Sequence, residues 1–366
     1  MERCIDAAAR DKNVYQYFDL WQLHPVEDEE DLKYIYNSIL ADLSAKSSWP
    51  HDQERTARYT VRQGLIRTFS RLPIFDAIPK LFEFMRDVFN TPPKTISLPT
   101  LVGKHKKDIS FAHIRDRTVV KLRNIAEVKI GLQSGNNAKF YRVREGVSGG
   151  AVKGGYKTID QRNLVSDNRL LSLSETERAN GVEVNDPTND RYFVPLDKPA
   201  EADIDAGILS VFYQPVDFYV DWSEDAVKQM KDLSGAGGGA FRNPTYYFRR
   251  GISFSNTGIY SPTFRLSHSS VFDQKGSCIF SDFFEPEFLL GVLASTLAKY
   301  FVKSFVNHGV DAQLDDLPIV LPDEKQRTAI VAKVAEIVAA QKADPNYNYR
   351  PKLAELDALV FDLYGL

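Results

Sequence analysis

Cysteine is nearly missing from this chain: Cys4 and Cys278 are the only two in 366 residues. Two thiols supply neither a disulfide framework nor a four-cysteine zinc site, and they point to a reducing compartment. The six histidines, His24, His51, His105, His113, His268 and His308, show no metal-ligand spacing, so no metal is expected. No apolar run is long enough to span a bilayer, which predicts a protein without a membrane helix. The segment from Met1 to Asp6 has neither the basic nor the apolar region of a signal peptide, so the expected location is cytoplasmic. A Gly-x-x-x-x-Gly-Lys-Ser/Thr loop is missing too, which excludes a P-loop motor.

Catalytic motifs are equally sparse. Methyl transfer to the exocyclic amine of a base needs a glycine-rich turn for the methyl donor. It also needs an Asn/Asp-Pro-Pro-Tyr/Phe loop that grips and stacks on the flipped base. Gly235-Ala-Gly-Gly-Gly239 imitates the first part and Asn243-Pro-Thr-Tyr246 the second. In a doubly wound fold these parts lie on separate strands, whereas here three residues separate them. Thr245 also stands where the second proline belongs. Asp273-Gln-Lys275 and Glu127-Val-Lys129 each match half of a magnesium-dependent nuclease site, with Asp186 or Asp76 as the nominated upstream acid. Three-residue matches arise by chance, so no catalytic residue is assigned and the expectation is a protein that is not an enzyme.

What the chain does have is an uneven charge. The net charge is −3, with 43% hydrophobic and 26% charged residues, ordinary for a globular protein. Residues 111–178 hold 13 basic and 7 acidic side chains, residues 179–235 hold 4 and 12, and residues 236–310 hold 7 and 4. Basic blocks alternating with acidic ones suit a basic cleft with acidic outer walls, and also ordinary fluctuation along a chain.

The hydrophobic pattern predicts an α+β fold in three parts. Residues 1–110 read as a helical scaffold or partner-contact region: Leu32, Ile35, Ile39 and Leu43 share one face, and segments 60–69 and 78–89 repeat the spacing. Thr91-Pro92-Pro93 breaks this pattern, and 98–108 reads as a lysine-rich linker. Residues 111–318 carry short β-like runs, among them 192–196, 218–222 and 251–255, in a region dense in aromatics. Helices return over 319–366. Asp323 with Gln326 forms a capping box, Ile330, Val331, Val334, Ile337 and Val338 share a face, and Pro351 opens a last helix carrying Leu353, Leu356, Val360 and Leu363.

Several segments, in order, resemble the target-recognition region of type IIG and BREX-type adenine-specific DNA methyltransferases, the TaqI-like specificity domain. They are 121–140 with its Gly131-Leu-Gln-Ser-Gly135 turn, 191–198 with 220–227, 242–255, 271–277 and 289–293. Segment 317–331 is similar to the spacer of type I specificity subunits, and 356–366 to the usual C-terminus of the group. Pro199-Ala-Glu201 departs from the family, which often has two glycines there. The catalytic half that ordinarily precedes this region has no counterpart. The resemblance therefore implies a specificity protein that reads duplex DNA for a separate methyltransferase or restriction subunit in prokaryotic phage defence. S-adenosylmethionine would then be bound only by the partner, and the chain itself would carry no cofactor. The rival expectations are an active nuclease or methyltransferase fragment, and a decoy that engages the methyltransferase without binding DNA.

The residues themselves favour DNA. Gln133, Ser134, Asn136 and Asn137 place amides and a hydroxyl on a tight turn, and amides pair with adenine. Lys139 and Arg142 follow as phosphate contacts. Arg242, Tyr246, Arg249, Arg250, Ser253, Ser255 and Lys275 complete the expected DNA-binding set. Tyr247 and Phe248 read as core residues.

Overall fold

The computed structural model describes residues 91–101, 105–114, 116–147, 155–198, 211–236, 238–254, 263–305, 311–344 and 346–366, with Val14–Tyr15, Val61–Arg62, Phe84, Asp87 and Val88. The chain divides into two units, Met1–Glu83 and Phe84–Leu366. In the first, Val14–Tyr15 pairs antiparallel with Val61–Arg62, so part of the helix expected over 60–69 is extended. The helix expected around Leu32 to Leu43 lies outside the described residues. In the stretch 78–89, Phe84, Asp87 and Val88 are helical.

The second unit is α+β, as its sequence predicts. It begins with a correction. Residues 98–108 are no linker: β1 (Lys94–Pro99) and β2 (Lys106–Ile114) pair in register from Lys94↔Phe111 to Pro99↔Lys106. Thr95-Ile96-Ser97-Leu98 alternates in polarity, which a strand needs, and Ile96 lies opposite the buried Ile109. The prolines and lysines that suggest a linker sit at the ends of the strands. There Pro99 can give up its ladder N–H because β1 is an edge strand of the sheet.

β3 (Arg117–Lys121) pairs with β2, and helix α1 (Leu122–Ile125) then leads into β4 (Glu127–Lys129). Next come α2 (Asn137–Phe140), β5 (Tyr141–Val143), β6 (Lys157–Thr158), β7 (Phe193–Asp197) and β8 (Phe218–Asp221). After helix α3 (Glu224–Gly235) follow β9 (Ile252–Phe254), β10 (Phe264–Leu266), β11 (Val271–Phe272) and β12 (Cys278–Phe280). A five-stranded mixed sheet has the order β11-β7-β8-β5-β6, and a four-stranded antiparallel sheet the order β10-β9-β12-β4. The segments expected to be strands over 192–196, 218–222 and 251–255 are β7, β8 and β9.

Aromatic residues fill the core of this part. Trp222 is fully buried, lies parallel to Phe241 at 6.0 Å, and meets Tyr247 and Phe248 edge-on at 5.6 Å. Its indole N–H donates to the Glu177 carbonyl at 3.0 Å, so the one polar atom of the ring is satisfied. Tyr247 and Phe248 are therefore core side chains.

The chain closes with α4 (Pro286–Ala294), α5 (Thr296–Phe305), β13 (Pro318–Val320), α6 (Glu324–Ala343) and α7 (Arg350–Tyr364). β13 pairs with β3, so the first sheet runs β13-β3-β2-β1. The capping box at Asp323 forms: its carboxylate accepts from Gln326 N at 2.7 Å, and Gln326 Oε1 accepts from Asp323 N at 3.1 Å. Ile330, Val334, Ile337, Leu356, Val360 and Leu363 are buried, while Val331 and Leu353 are half-buried. The expected boundaries at 110 and 318 fall inside β2 and at the first residue of β13. No helix of the described residues is long and apolar enough to cross a membrane.

Candidate nucleic-acid interface

Three loops from distant parts of the sequence meet at one place. Leu132 N donates to Phe272 O at 2.8 Å, and Gln274 N donates back to Leu132 O at 3.0 Å. Gln133 and Ala240 exchange two backbone bonds, at 2.9 and 2.8 Å. Asn243 Nδ2 donates to the Ile130 carbonyl at 2.9 Å. The turn 130–139, the loop 238–243 and the turn 273–276 thus form one backbone-bonded cluster.

Glycine makes that contact possible. A Cβ on Gly239 would sit 2.8 Å from Gln133 O, and Gly135, at φ +79°, already lies against the Gly238 carbonyl. The Gly235–Gly239 run is therefore, in its described residues, no free linker. Gly235 ends α3, and Gly238 and Gly239 both donate to Leu233 O.

Side chains of the expected set divide into those spent inside the chain and those left facing outward. Ser134 is fully buried and donates to Asn137 Oδ1 at 2.7 Å. Asn137 Nδ2 in turn donates to the Tyr156 hydroxyl at 3.2 Å, so both ends of this amide fasten the turn. Ser253 is also fully buried, with its hydroxyl beside the Arg265 guanidinium at 3.2 Å. These three are structural residues, a correction to their expected DNA contacts. Both faces of β9 are covered, which buries Ser253 along with Ile252 and Phe254, and only the fold reveals Tyr156 beside Asn137.

Arg142 is largely committed as well. Its guanidinium donates to the carbonyls of Lys139 at 2.9 Å and Tyr141 at 2.8 Å, and lies over the Phe193 ring at 5.1 Å. It clamps the end of α2 instead of pointing a free fork at solvent. Asn136 is exposed. Its Oδ1 caps α2 by accepting from Lys139 N at 3.1 Å, while its Nδ2 makes no bond among the described residues. The Gln133 amide makes no side-chain hydrogen bond there, and the exposed Arg242 guanidinium makes no ion pair there. Lys139 is exposed, bonds the neutral Gln229 and lies over the Phe140 ring at 5.3 Å, and Lys275 is exposed at the tip of its turn.

The aromatic–arginine segment faces a neighbouring cleft of about 220 Å³ lined by Lys107, Arg123, Glu127, Tyr246, Arg249 and Asp282, among others. The Tyr246 hydroxyl donates to Glu127 at 2.5 Å, and the Lys129 ammonium sits over the Tyr246 ring at 4.7 Å. Hydrogen bonds from Lys129 and Tyr246 hold the Glu127 carboxyl below its usual range, and Glu127 raises Lys129 in return. Arg249 lies 3.3 Å from Asp282 and stacks over Tyr246 at 5.0 Å, while Lys107 pairs with Asp282 at 2.9 Å. Arg250 pairs with Glu287. Tyr246 and Arg249 therefore lie in a network of three cations and two carboxylates, and Arg250 is held in a separate pair. Sequence reasoning missed its partners Lys107 and Asp282, which sit far away in sequence; Lys129, next to the glycine turn, was the one local signal. Ser255 lies outside the described residues.

The motif fragments are also absorbed by structure. Asn243 is left-handed at φ 52°, with its amide on Ile130. Asp273 is buried, accepting from Tyr141 OH at 3.1 Å and Lys275 N at 2.9 Å. Asp186 accepts from Thr188 N at 2.9 Å and Asn189 Nδ2 at 2.6 Å. Asp76 is outside the described residues. Among the described residues no three His, Cys, Asp or Glu side chains gather as metal ligands.

No protein-family model matches the chain, and no curated protein matches it. Among solved structures it is similar to the HsdS subunit from Thermoanaerobacter tengcongensis, at 11% identity and a TM-score of 0.31. That similarity covers 92% of this chain and 58% of the other, so the chain spans less than two thirds of the HsdS structure's length.

Proposed function

We propose that this protein recognises a specific sequence in duplex DNA on behalf of a separate adenine methyltransferase or restriction subunit. The observation that carries the reading is the three-loop cluster, in which backbone hydrogen bonds join the loops that carry Gln133, Asn136, Lys139, Arg242 and Lys275. Amides and a guanidinium read base edges, and lysines neutralise phosphates. The ordered resemblance to target-recognition regions supports the same reading. The internal use of Asn243, Glu127 and Asp273 favours recognition over methyl transfer or strand cleavage by this chain.

The test is duplex binding at several salt concentrations. Each phosphate contact contributes about 0.9 to the slope of log K against log[salt]. Lys139→Ala and Lys275→Ala should each lower the slope by about one, with equal losses on any sequence. No measurable duplex binding by the wild-type chain would remove the reading and leave the decoy, which binds the methyltransferase alone.

A further inference from the structure

The open side chains of the loop cluster form a chemically restricted set. Four groups share it: the Gln133 amide, the Asn136 amide, the Arg242 guanidinium and the Ile130 side chain, which is 36% exposed. Backbone links bring their chain segments together, Asn136 following Gly135, which lies against the Gly238 carbonyl. Ile130 O is held by Asn243, next to Arg242, and Gln133 is bridged to Ala240, two residues before Arg242. Acids near the cluster are committed elsewhere, Glu127 to Lys129 and Tyr246, and Asp273 to Tyr141 and Lys275 N.

In the major groove each base pair shows its own pattern. An amide pairs with adenine N6 and N7, a guanidinium with guanine O6 and N7, an apolar group touches the thymine methyl, and a carboxylate accepts from cytosine N4. Among the described residues the cluster has the first three and lacks the fourth. Resting on the DNA-recognition reading, we propose that this surface reads purine edges in the major groove. Gln133 faces adenine, Arg242 faces guanine, and Ile130 lies against a thymine methyl. Asn136, whose Oδ1 caps α2, offers its Nδ2 donor to a purine N7. Cytosine is specified only through its guanine partner. Loop composition alone does not give this list, because Ser134, Asn137 and Arg142 would be on it. The structure removes them by showing their polar atoms bonded inside the chain.

The experiment uses the unmodified full chain and a duplex carrying a word enriched from a random library. Single purines in that word are replaced by 7-deazaadenine or 7-deazaguanine, which lose N7, and thymines by deoxyuridine. At one or more adenines and one or more guanines, binding should fall about ten-fold, within the span of a bidentate base contact. Deoxyuridine should cost about four-fold at one thymine, the value of one methyl group. Arg242→Ala should abolish the 7-deazaguanine effect and keep the 7-deazaadenine effect. Should Arg242→Ala fail to fold, the analogue series on the wild-type chain decides alone. An enriched word that tolerates both deaza analogues everywhere overturns the assignment and moves readout to the minor groove or to DNA shape. No enriched word at all overturns the DNA-recognition reading beneath it.

Discussion

A chain ending at Leu321 is expected to aggregate on expression, without a cooperative unfolding transition. Removing the residues that follow deletes α6 and α7, which are packed against the body of the protein. Ile330, Val334, Ile337, Leu356, Val360, Phe361, Leu363 and Tyr364 are all buried. Fully burying a large apolar side chain is worth roughly 1.5–3 kcal/mol, so even half that yield over eight side chains is comparable to the roughly 5–15 kcal/mol that keeps a domain folded. The loss extends beyond the two helices. Gly291 in α4 would place a Cβ 2.5 Å from Ile330, so α4 and α6 touch backbone to side chain. Asp357 of α7 caps α5, accepting from Thr296 N at 2.7 Å and from its hydroxyl at 2.6 Å. Tyr364 OH donates to Pro318 O at 2.6 Å, and Arg117 Nε to Leu363 O at 3.0 Å, which ties the last turn to β13 and β3. Circular dichroism melting and size-exclusion chromatography check this. A soluble, monomeric truncation with a sharp melt would show that the terminal helices are dispensable for the fold.

Arg265→Met should be the most damaging single substitution at a polar site. Arg265 and Asp197 pair at 2.6 Å, with both side chains only 3% exposed, and they join β10 to β7 across the two central sheets. Asp197 Oδ2 has no hydrogen-bond partner among the described residues, so Asp197 depends heavily on the guanidinium. Removing one partner of a buried pair strands a charge and costs about 3–5 kcal/mol, whereas replacing both by apolar groups is often close to neutral. Urea unfolding should therefore show a large loss for Arg265→Met and a recovery of most of it in Arg265→Met with Asp197→Leu. A double variant as unstable as the single one would mean that the pair itself, not the stranded carboxylate, stabilises the sheets. The substitution should also loosen the interface, because the Asp197 carbonyl accepts from Asp273 N at 2.9 Å, beside Leu132.

Periodicity made much of the fold legible. The helical faces of α6 and α7, the capping box at Asp323 and the strands β7, β8 and β9 all follow from local pattern, because each element satisfies its own rule of spacing. The β1–β2 hairpin did not, since Pro92, Pro93 and Pro99 outweigh the short alternation between them. Within the candidate site, the turn 131–139 was legible from its glycines and amides. Which of those amides face outward was not: Asn137 is held by Tyr156 and Ser134, while Asn136, its neighbour, keeps a free donor. Ser253 is hidden for the same reason, beside Arg265 of the neighbouring strand. A polar side chain declares its chemistry in sequence, but its partner comes from another strand. The cleft pairs, Lys107 with Asp282 and Glu127 with Tyr246, join positions that no local pattern connects.

The central claim is that this chain, without any partner, selects a DNA sequence through the cluster of Gln133, Asn136 and Arg242. Repeated selection of bound duplexes from a fully random library, read by sequencing, tests it most directly. One enriched word is expected for the wild-type chain, with loss of preference at a single base pair in Gln133→Ala or Asn136→Ser. The second variant keeps a side-chain oxygen to cap α2. Uniform recovery of the library by the wild-type chain, or an enriched word unchanged in both variants, would contradict it.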